Sequence, residues 1–388
     1  MSIIEQTQEH IMSTYGRSPV VLAHGSGAVC EDAQQKRYID FGSGIGTTSL
    51  GYCDAAWADA VCAQVRALQH TSNLYYHAPQ AELAEKLCAM TGYSKVFYGN
   101  SGAEANECAI KLARKYSFDK YGKGRHTIIT LVNSFHGRTL ATLSATGQDV
   151  FHNYFFPFVE GFRYVKANDI ADLHANLDDT VCAIMLEYIQ GEGGVKMLDA
   201  EFVAEIRKIC DEKDILMIAD EVQTGIGRTG KLLAGEHFGC MADVTTLAKG
   251  LAGGLPIGAC LANAKCADVL DKGSHGSTFG GNPVACAGAV KVLERMAQKG
   301  MMDSITEKSD FIRSRLSALS EVGEISGKGM MIGISLKTKK AADVLQECLN
   351  NGLLVLTAKD RVRLLPPLTI GMDELREGMQ ILCNVLEG

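Results

Sequence analysis

Residues 215–249 read ILMIADEVQTGIGRTGKLLAGEHFGCMADVTTLAK, and this stretch decides the fold. It holds two short aliphatic or β-branched runs, Ile215 to Asp220 and Val244 to Leu247, each ending at or just before a charged residue. Runs of this length without polar alternation belong to strands covered on both faces. Working outward, similar runs lie at Thr127 to Val132, Val181 to Glu187 and Ile257 to Ala262. Ahead of Ile215, the positions Phe202, Val203, Ile206, Ile209 and Cys210 share one face of a helix. Strands alternating with helices predict an α/β fold, a mostly parallel sheet between helical layers.

Two more helices are legible, Ala103 to Tyr116 and Pro283 to Gln298, the second with Asn282 as N-cap and Pro283 at the first helical position. Beyond it the texture changes. Glu324 to Lys337 is strand-rich, Ala341 to Leu349 a helix, Leu353 to Leu356 and Val362 to Leu365 short strands, and Asp373 to Leu386 a closing helix. Near the start, Gly25 to Val29 and Arg37 to Phe41 suggest a β-meander. The expected division is a segment 1–50 that packs with a C-terminal α+β domain 283–388, and a large domain 51–282.

At 388 residues, the chain is long enough for two or three units. Its 46% hydrophobic and 21% charged content excludes a disordered or collagen-like class. A net charge of -7 offers no general positive field to a phosphate backbone, so nucleic acid is not expected as a partner. The 13 cysteines are scattered singly, are odd in number and form no C-x-x-C pair, which suits reduced thiols better than a disulfide framework or a zinc site. Glu5 and Glu9 interrupt the N-terminal stretch, and nothing approaches 18 apolar residues, so a cytoplasmic location without membrane or metal is expected.

Several short constellations bear on chemistry. Gly225-Ile226-Gly227-Arg228-Thr229-Gly230-Lys231 matches G-x-G-x-x-G and most of a P-loop, but Leu232 stands where Mg²⁺ binding needs Ser or Thr, and Glu221 to Thr224 separate it from its strand. It is expected to be a flexible surface loop. Gly99-Asn100-Ser101-Gly102-Ala103 precedes a helix, where amides could converge on a phosphate or Ser101 could simply cap the turn. Lys249 ends an apolar run before a loop of small residues, as either a desolvated nucleophilic amine or a lysine reaching for water. Asp220 projects from a strand's carboxyl end, the ligand-binding edge of open α/β sheets, and needs a cation there. With Glu221 it could also make a Mg²⁺ pair, though no P-loop accompanies it. In Asn133 to Thr139, Phe135 offers a flat face and Arg138 a fork for a carboxylate, while His136 has no readable partner and is expected to be a polar wall residue.

Taken in order, the anion-binding turn, Phe135, Asp220, Lys249 and Arg363 resemble the class III pyridoxal-phosphate aminotransferases along nearly the whole chain. The strings Ser72 to Tyr76, Pro79 to Ala84, Asn133 to Thr139 and Gln190 to Gly194 are most similar to members of that class acting on acylated ornithine. The resemblance implies a fold-type I enzyme with pyridoxal 5′-phosphate as cofactor. It implies that Lys249 is the lysine joined to the cofactor and that Asp220 holds the pyridine nitrogen protonated. Gln223 is implied at the ring's 3-oxygen, Phe135 and Val222 on its two faces, and Ser101, Gly102 and Ala103 around the phosphate. Thr278 is implied to reach that phosphate from a neighbouring subunit, which makes a homodimer with shared sites. On the substrate side, Arg363 is implied to take the α-carboxylate of 2-oxoglutarate or glutamate, Arg138 the distal carboxylate, and Glu192 to neutralise Arg363 when no carboxylate is there. Tyr15 and Tyr75 are further candidate substrate contacts.

The resemblance therefore implies transfer of the terminal amino group of N2-acetylornithine to 2-oxoglutarate in arginine synthesis. Succinylornithine, ornithine and lysine present similar groups. A glutamate-semialdehyde-aminomutase-like enzyme would share the lysine, a nucleotide-dependent enzyme would need Gly225 to Lys231, and a silent regulatory relative would lack a chemical position. One departure concerns the loop carrying Gln190 and Glu192. Glu187 is followed by Tyr188, where relatives usually have Pro.

Overall fold

The structure is a computed structural model that describes residues 1–388. Its centre is a seven-stranded sheet in the order Lys95–Gly99, Gly258–Ala262, Val244–Leu247, Leu216–Asp220, Val181–Leu186, Thr127–Leu131, Phe162–Val165. Only Gly258–Ala262 runs against its neighbours; the other pairs are parallel. The central strands are buried along their whole length, which is why their sequences show unbroken apolar runs. The two outer strands, Lys95–Gly99 and Phe162–Val165, were not among the expected ones. Each mixes exposed or half-buried positions with buried ones, so neither has an unbroken apolar run.

Helices cover both faces. Gly102–Tyr121 starts where the Ser101 hydroxyl accepts the Glu104 amide at 3.1 Å and stops at Gly122, whose φ of 74° favours a residue without Cβ. Ala200–Glu212 buries the five residues of its apolar face, and Pro283–Met296 is capped by Asn282, which accepts the Ala285 amide at 2.9 Å. The N-terminal strands Leu22–Ser26, Val29–Asp32 and Arg37–Asp40 form a sheet whose fourth strand is Leu353–Leu354, paired in parallel with Arg37–Asp40. An antiparallel sheet built from Val322–Lys328, Met331–Leu336, Arg361–Leu364 and Leu356–Ala358 stands beside it, packed by the helices Met301–Ser317, Ala341–Asn350 and Met372–Glu387. No helix is long and apolar enough to cross a membrane.

One expectation is corrected. Gly225 to Lys231 is not a surface loop, because residues 224–230 are buried. The Arg228 guanidinium donates to Pro366 O at 2.5 Å and Met330 O at 3.2 Å, fastening this turn to the C-terminal part of the chain. A Cβ at Gly227 would stand 2.8 Å from Met296 Sδ. The glycines serve close packing, and the approach they allow is to protein.

Candidate active site

The carboxyl ends of the parallel strands and the start of the reversed strand meet at one edge of the sheet, around a cavity of about 450 Å³. Chain direction puts the ends of Lys95–Gly99, Leu216–Asp220 and Val244–Leu247 there, and so brings Ser101, Asp220 and Lys249 to one space.

Asp220 is 4% exposed and has no Lys or Arg within ion-pair distance. Its Oδ2 accepts from Asn106 Nδ2 and His136 Nδ1, both at 2.8 Å, and its Oδ1 accepts the Val222 amide at 3.0 Å. An ionised carboxylate can only accept, so Nδ1 of His136 carries the proton. Nε2 of that ring is buried without a partner. Asn106 is held in turn by the Thr246 hydroxyl at 2.6 Å. His136, expected as a wall residue, is therefore also a ligand of the site's carboxylate. The sequence signal for Asn106 was its position four residues after Gly102, on the same helical face.

Lys249 follows the strand Val244–Leu247 after one alanine and has φ of 37°, a left-handed conformation strained for a side chain with Cβ. Such strain is kept where the surroundings fix it, commonly at functional sites. Burial lowers the amine's pKa, opposed by Glu192 and Asp220 and aided by Arg363. A lowered pKa supplies more of the neutral, nucleophilic amine near neutrality.

Glu192 and Arg363 form an ion pair at 2.5 Å, and Gln223 bridges them, accepting from Arg363 at 3.2 Å and donating to Glu192 at 3.4 Å. Burial pushes the Glu192 carboxyl up, but Arg363, Lys249 and Gln223 together outweigh it and the net shift is downward. Arg138 lines the same cavity, is exposed and has no ion-pair partner. Its guanidinium carbon lies 4.1 Å from the Phe151 ring centroid and 5.4 Å from that of Phe135. One cation is thus neutralised within the chain and another is open to a ligand.

The anion site is backbone in character. No acceptor in the chain takes the amides of Gly102 and Ala103, which open the helix into the cavity. A Cβ at Gly102 would stand 2.7 Å from Val222 Cγ1, and one at Gly258 would stand 2.1 Å from Ser101 O. The cradle therefore depends on missing side chains. Free amides at a helix start, a buried carboxylate without a cation and a desolvated lysine together fit a phosphorylated pyridine aldehyde.

Glu187 also lines the cavity. It accepts the Phe135 amide at 2.9 Å and the Gly191 amide at 3.1 Å. Burial, reinforced by Asp220 and opposed by His136, pushes its carboxyl up to about 7. Tyr188, the departure in the sequence, is 1% exposed, stacks on Phe238 with centroids 5.0 Å apart and donates to Cys240 O at 2.7 Å. Its ring anchors the start of the Glu192 loop in the core.

Within a single chain, Ser101, Gly102, Ala103, Phe135, Arg138, Glu192, Asp220, Val222, Gln223 and Lys249 line one cavity, and Arg363 reaches it through Glu192 and Gln223. Thr278 lies in a different cavity beside Ser72 to Tyr76, and Tyr15 and Tyr75 are exposed outside the first. Asn106, Glu187 and Phe151 are additions of the structure, and His136, the expected wall residue, gains its bond to Asp220.

A family model described as aminotransferase class-III matches residues 11–386. The acetylornithine aminotransferase of Haemophilus ducreyi is 50% identical over 379 residues, 97% of this chain and 96% of its own length. The solved N-acetylornithine aminotransferase of Stenotrophomonas maltophilia superimposes with a TM-score of 0.86 at 34% identity, covering 99% of this chain and 98% of that one. A Toxoplasma gondii ornithine aminotransferase with partial occupancy of PLP at its active site gives a TM-score of 0.93 at 32% identity, covering 99% of this chain and 93% of that one.

Proposed function

The chain belongs to the class-III aminotransferases, and on that premise we propose that it transfers the terminal amino group of N2-acetylornithine to 2-oxoglutarate, giving N-acetylglutamate 5-semialdehyde and glutamate in arginine biosynthesis. Its cofactor, pyridoxal 5′-phosphate, supplies when bound an aldehyde that takes up the amino group and a ring that withdraws electrons from the carbon losing its proton.

The chain's own residues account for the rest. Ser101 and the amides of Gly102 and Ala103 would hold the phosphate, Phe135 and Val222 would flank the ring, and Gln223 would meet its 3-oxygen. Asp220, fixed by Asn106, His136 and the Val222 amide, keeps a proton on the ring nitrogen. Lys249 is the covalent anchor. With its pKa lowered by burial, its Nζ would be the base that takes the proton from the amine-bearing carbon of the substrate and gives it back.

The observation that carries the reading is the unequal pair of cations. Arg138 is open to the distal carboxylate of either substrate, while Arg363 is covered by Glu192. When N2-acetylornithine presents its terminal amine, no carboxylate lies next to the reacting carbon and Glu192 stays on Arg363. When 2-oxoglutarate enters, its α-carboxylate takes the place of Glu192. One site thereby accepts two dissimilar substrates. Tyr15 and Tyr75 are kept as substrate contacts.

We further place the protein in the cytoplasm as a homodimer whose Thr278 completes the partner's phosphate site, and divide the chain at 1–50, 51–282 and 283–388. The dimer is supported by the apolar surface around Thr278, where Leu74 is 84% and Phe279 61% exposed. The test of function is kcat/KM for N2-acetylornithine, N2-succinylornithine, ornithine and lysine with 2-oxoglutarate. N2-acetylornithine is expected to lead; if ornithine leads, the reading passes to ornithine transamination.

A further inference from the structure

Glu187 closes the strand Val181–Leu186 and reaches the cavity wall with no cation in ion-pair range, an expensive way to keep a carboxylate unless the fold uses it. Both of its oxygens are committed, one to the amide of Phe135 and one to the amide of Gly191. These amides belong to the two loops to which the proposed reaction gives separate tasks. Phe135 flanks the ring, and Gly191 precedes Glu192, which covers Arg363. A second tie joins the same loops, Gln190 Nε2 donating to Val132 O at 2.9 Å. There is little slack between them and their neighbours. A Cβ at Gly191 would stand 2.5 Å from Gln223 Nε2, and one at Gly193 would stand 2.7 Å from Asn133 O.

We propose that Glu187 is a positioning residue of the substrate gate: through the Gly191 amide it fixes the backbone beneath Glu192, so that exchange of substrates moves the Glu192 side chain alone. The inference rests on the function proposed above. Two back-to-back acceptors are required, and only a carboxylate offers them. A glutamine at 187 turns an N–H toward one of the two amides and leaves it buried without a partner. If the Gly191 tie is lost, the loop relaxes and the Glu192–Arg363 pair weakens. The α-carboxylate of 2-oxoglutarate then displaces Glu192 more easily, while N2-acetylornithine meets an arginine that is less well covered. The two half-reactions must therefore move apart.

The experiment is Glu187→Gln in the full chain, with hydrogen exchange of residues 188–194 and single-turnover kinetics of each half-reaction. Exchange in this segment is expected to rise at least tenfold, with and without cofactor, while distant strands keep their protection. The kcat/KM for N2-acetylornithine is expected to fall at least fivefold, with the KM for 2-oxoglutarate unchanged or lower. An equal fall in both half-reactions, or unchanged exchange at 188–194, overturns the proposal. Should the glutamine variant not fold, Glu187→Asp, which keeps both acceptors on a shorter stem, is expected to show the same split in weaker form. Failure of the wild-type enzyme to use N2-acetylornithine refutes the function reading alone, because the exchange measurement needs no substrate.

Discussion

Arg138 stands at the cavity with its charge uncompensated and its guanidinium over two phenyl rings, which attract it without neutralising it. If both substrates anchor a carboxylate there, Arg138→Ala removes the partner of a charged group, a loss of about 2 kcal/mol or more. The kcat/KM for both half-reactions should then drop about 30-fold or more, and an unchanged value would show that the distal carboxylate binds elsewhere. Residues of this kind are legible in a sequence when their position is special by itself. Lys249 and Asp220 each end an apolar run, and the polarity of a parallel sheet brings such ends together. Glu187 ends such a run too, Val181 to Leu186, whereas Asn106 and His136 end none. The meaning of those two comes from Asp220 and Thr246, between 84 and 140 residues away, a proximity that only the folded chain supplies.

At the level of the element, the turn after Asp220 departs most from what its composition suggests. A glycine-rich stretch with Arg and Lys looks like a loop in water, yet Glu221 folds it inward by accepting the amides of Ala234 at 2.6 Å and Gly235 at 3.0 Å and the Thr224 hydroxyl at 3.1 Å. Burial pushes this carboxyl up from 4.5 to about 7. A raised carboxyl pKa means that the folded state holds its proton longer than the unfolded chain does. The associated stability is complete below about 4.5, is lost as pH rises toward 7, and changes no further above that. At roughly 1.4 kcal/mol per pH unit, the swing is of the order of 3 kcal/mol. Denaturant unfolding of wild type and Glu221→Gln at pH 5 and pH 8 isolates it: the wild type's advantage should shrink at the higher pH, and a constant difference would refute it. The central strands were readable because both faces are buried. The strand Phe162–Val165 was hidden because an edge strand half open to solvent has no continuous apolar run.

Over the whole molecule, large apolar side chains are left in water near the N-terminus, at residues 150–156 and around residues 74–76 and 279, the last group beside Thr278 and outside the cavity. A shared-site dimer covers such surface, and it predicts a particle of twice the 41.7 kDa chain mass. It also predicts complementation: cofactor retention lost in Thr278→Ala should return when that chain is reassociated with Lys249→Ala, which supplies an intact Thr278 across the interface. No recovery on mixing, or a particle of single-chain mass, would remove the partner from the site. Which surfaces meet another copy is poorly legible in sequence, because an exposed leucine carries no label for its partner. The union of the chain's two ends is different in kind, since Arg37–Asp40 takes Leu353–Leu354 as its sheet neighbour and a terminal segment is completed only by the far end. The same holds inside the cavity, where the Glu192–Arg363 pair spans 171 residues. A ribosome releases the acid long before the base, so the nascent large sheet exists for a time with Glu192 lacking its cation. That carboxylate must stay hydrated or protonated until Arg363 emerges, which makes closure of this ion pair a marker that synthesis has passed the last element the gate requires.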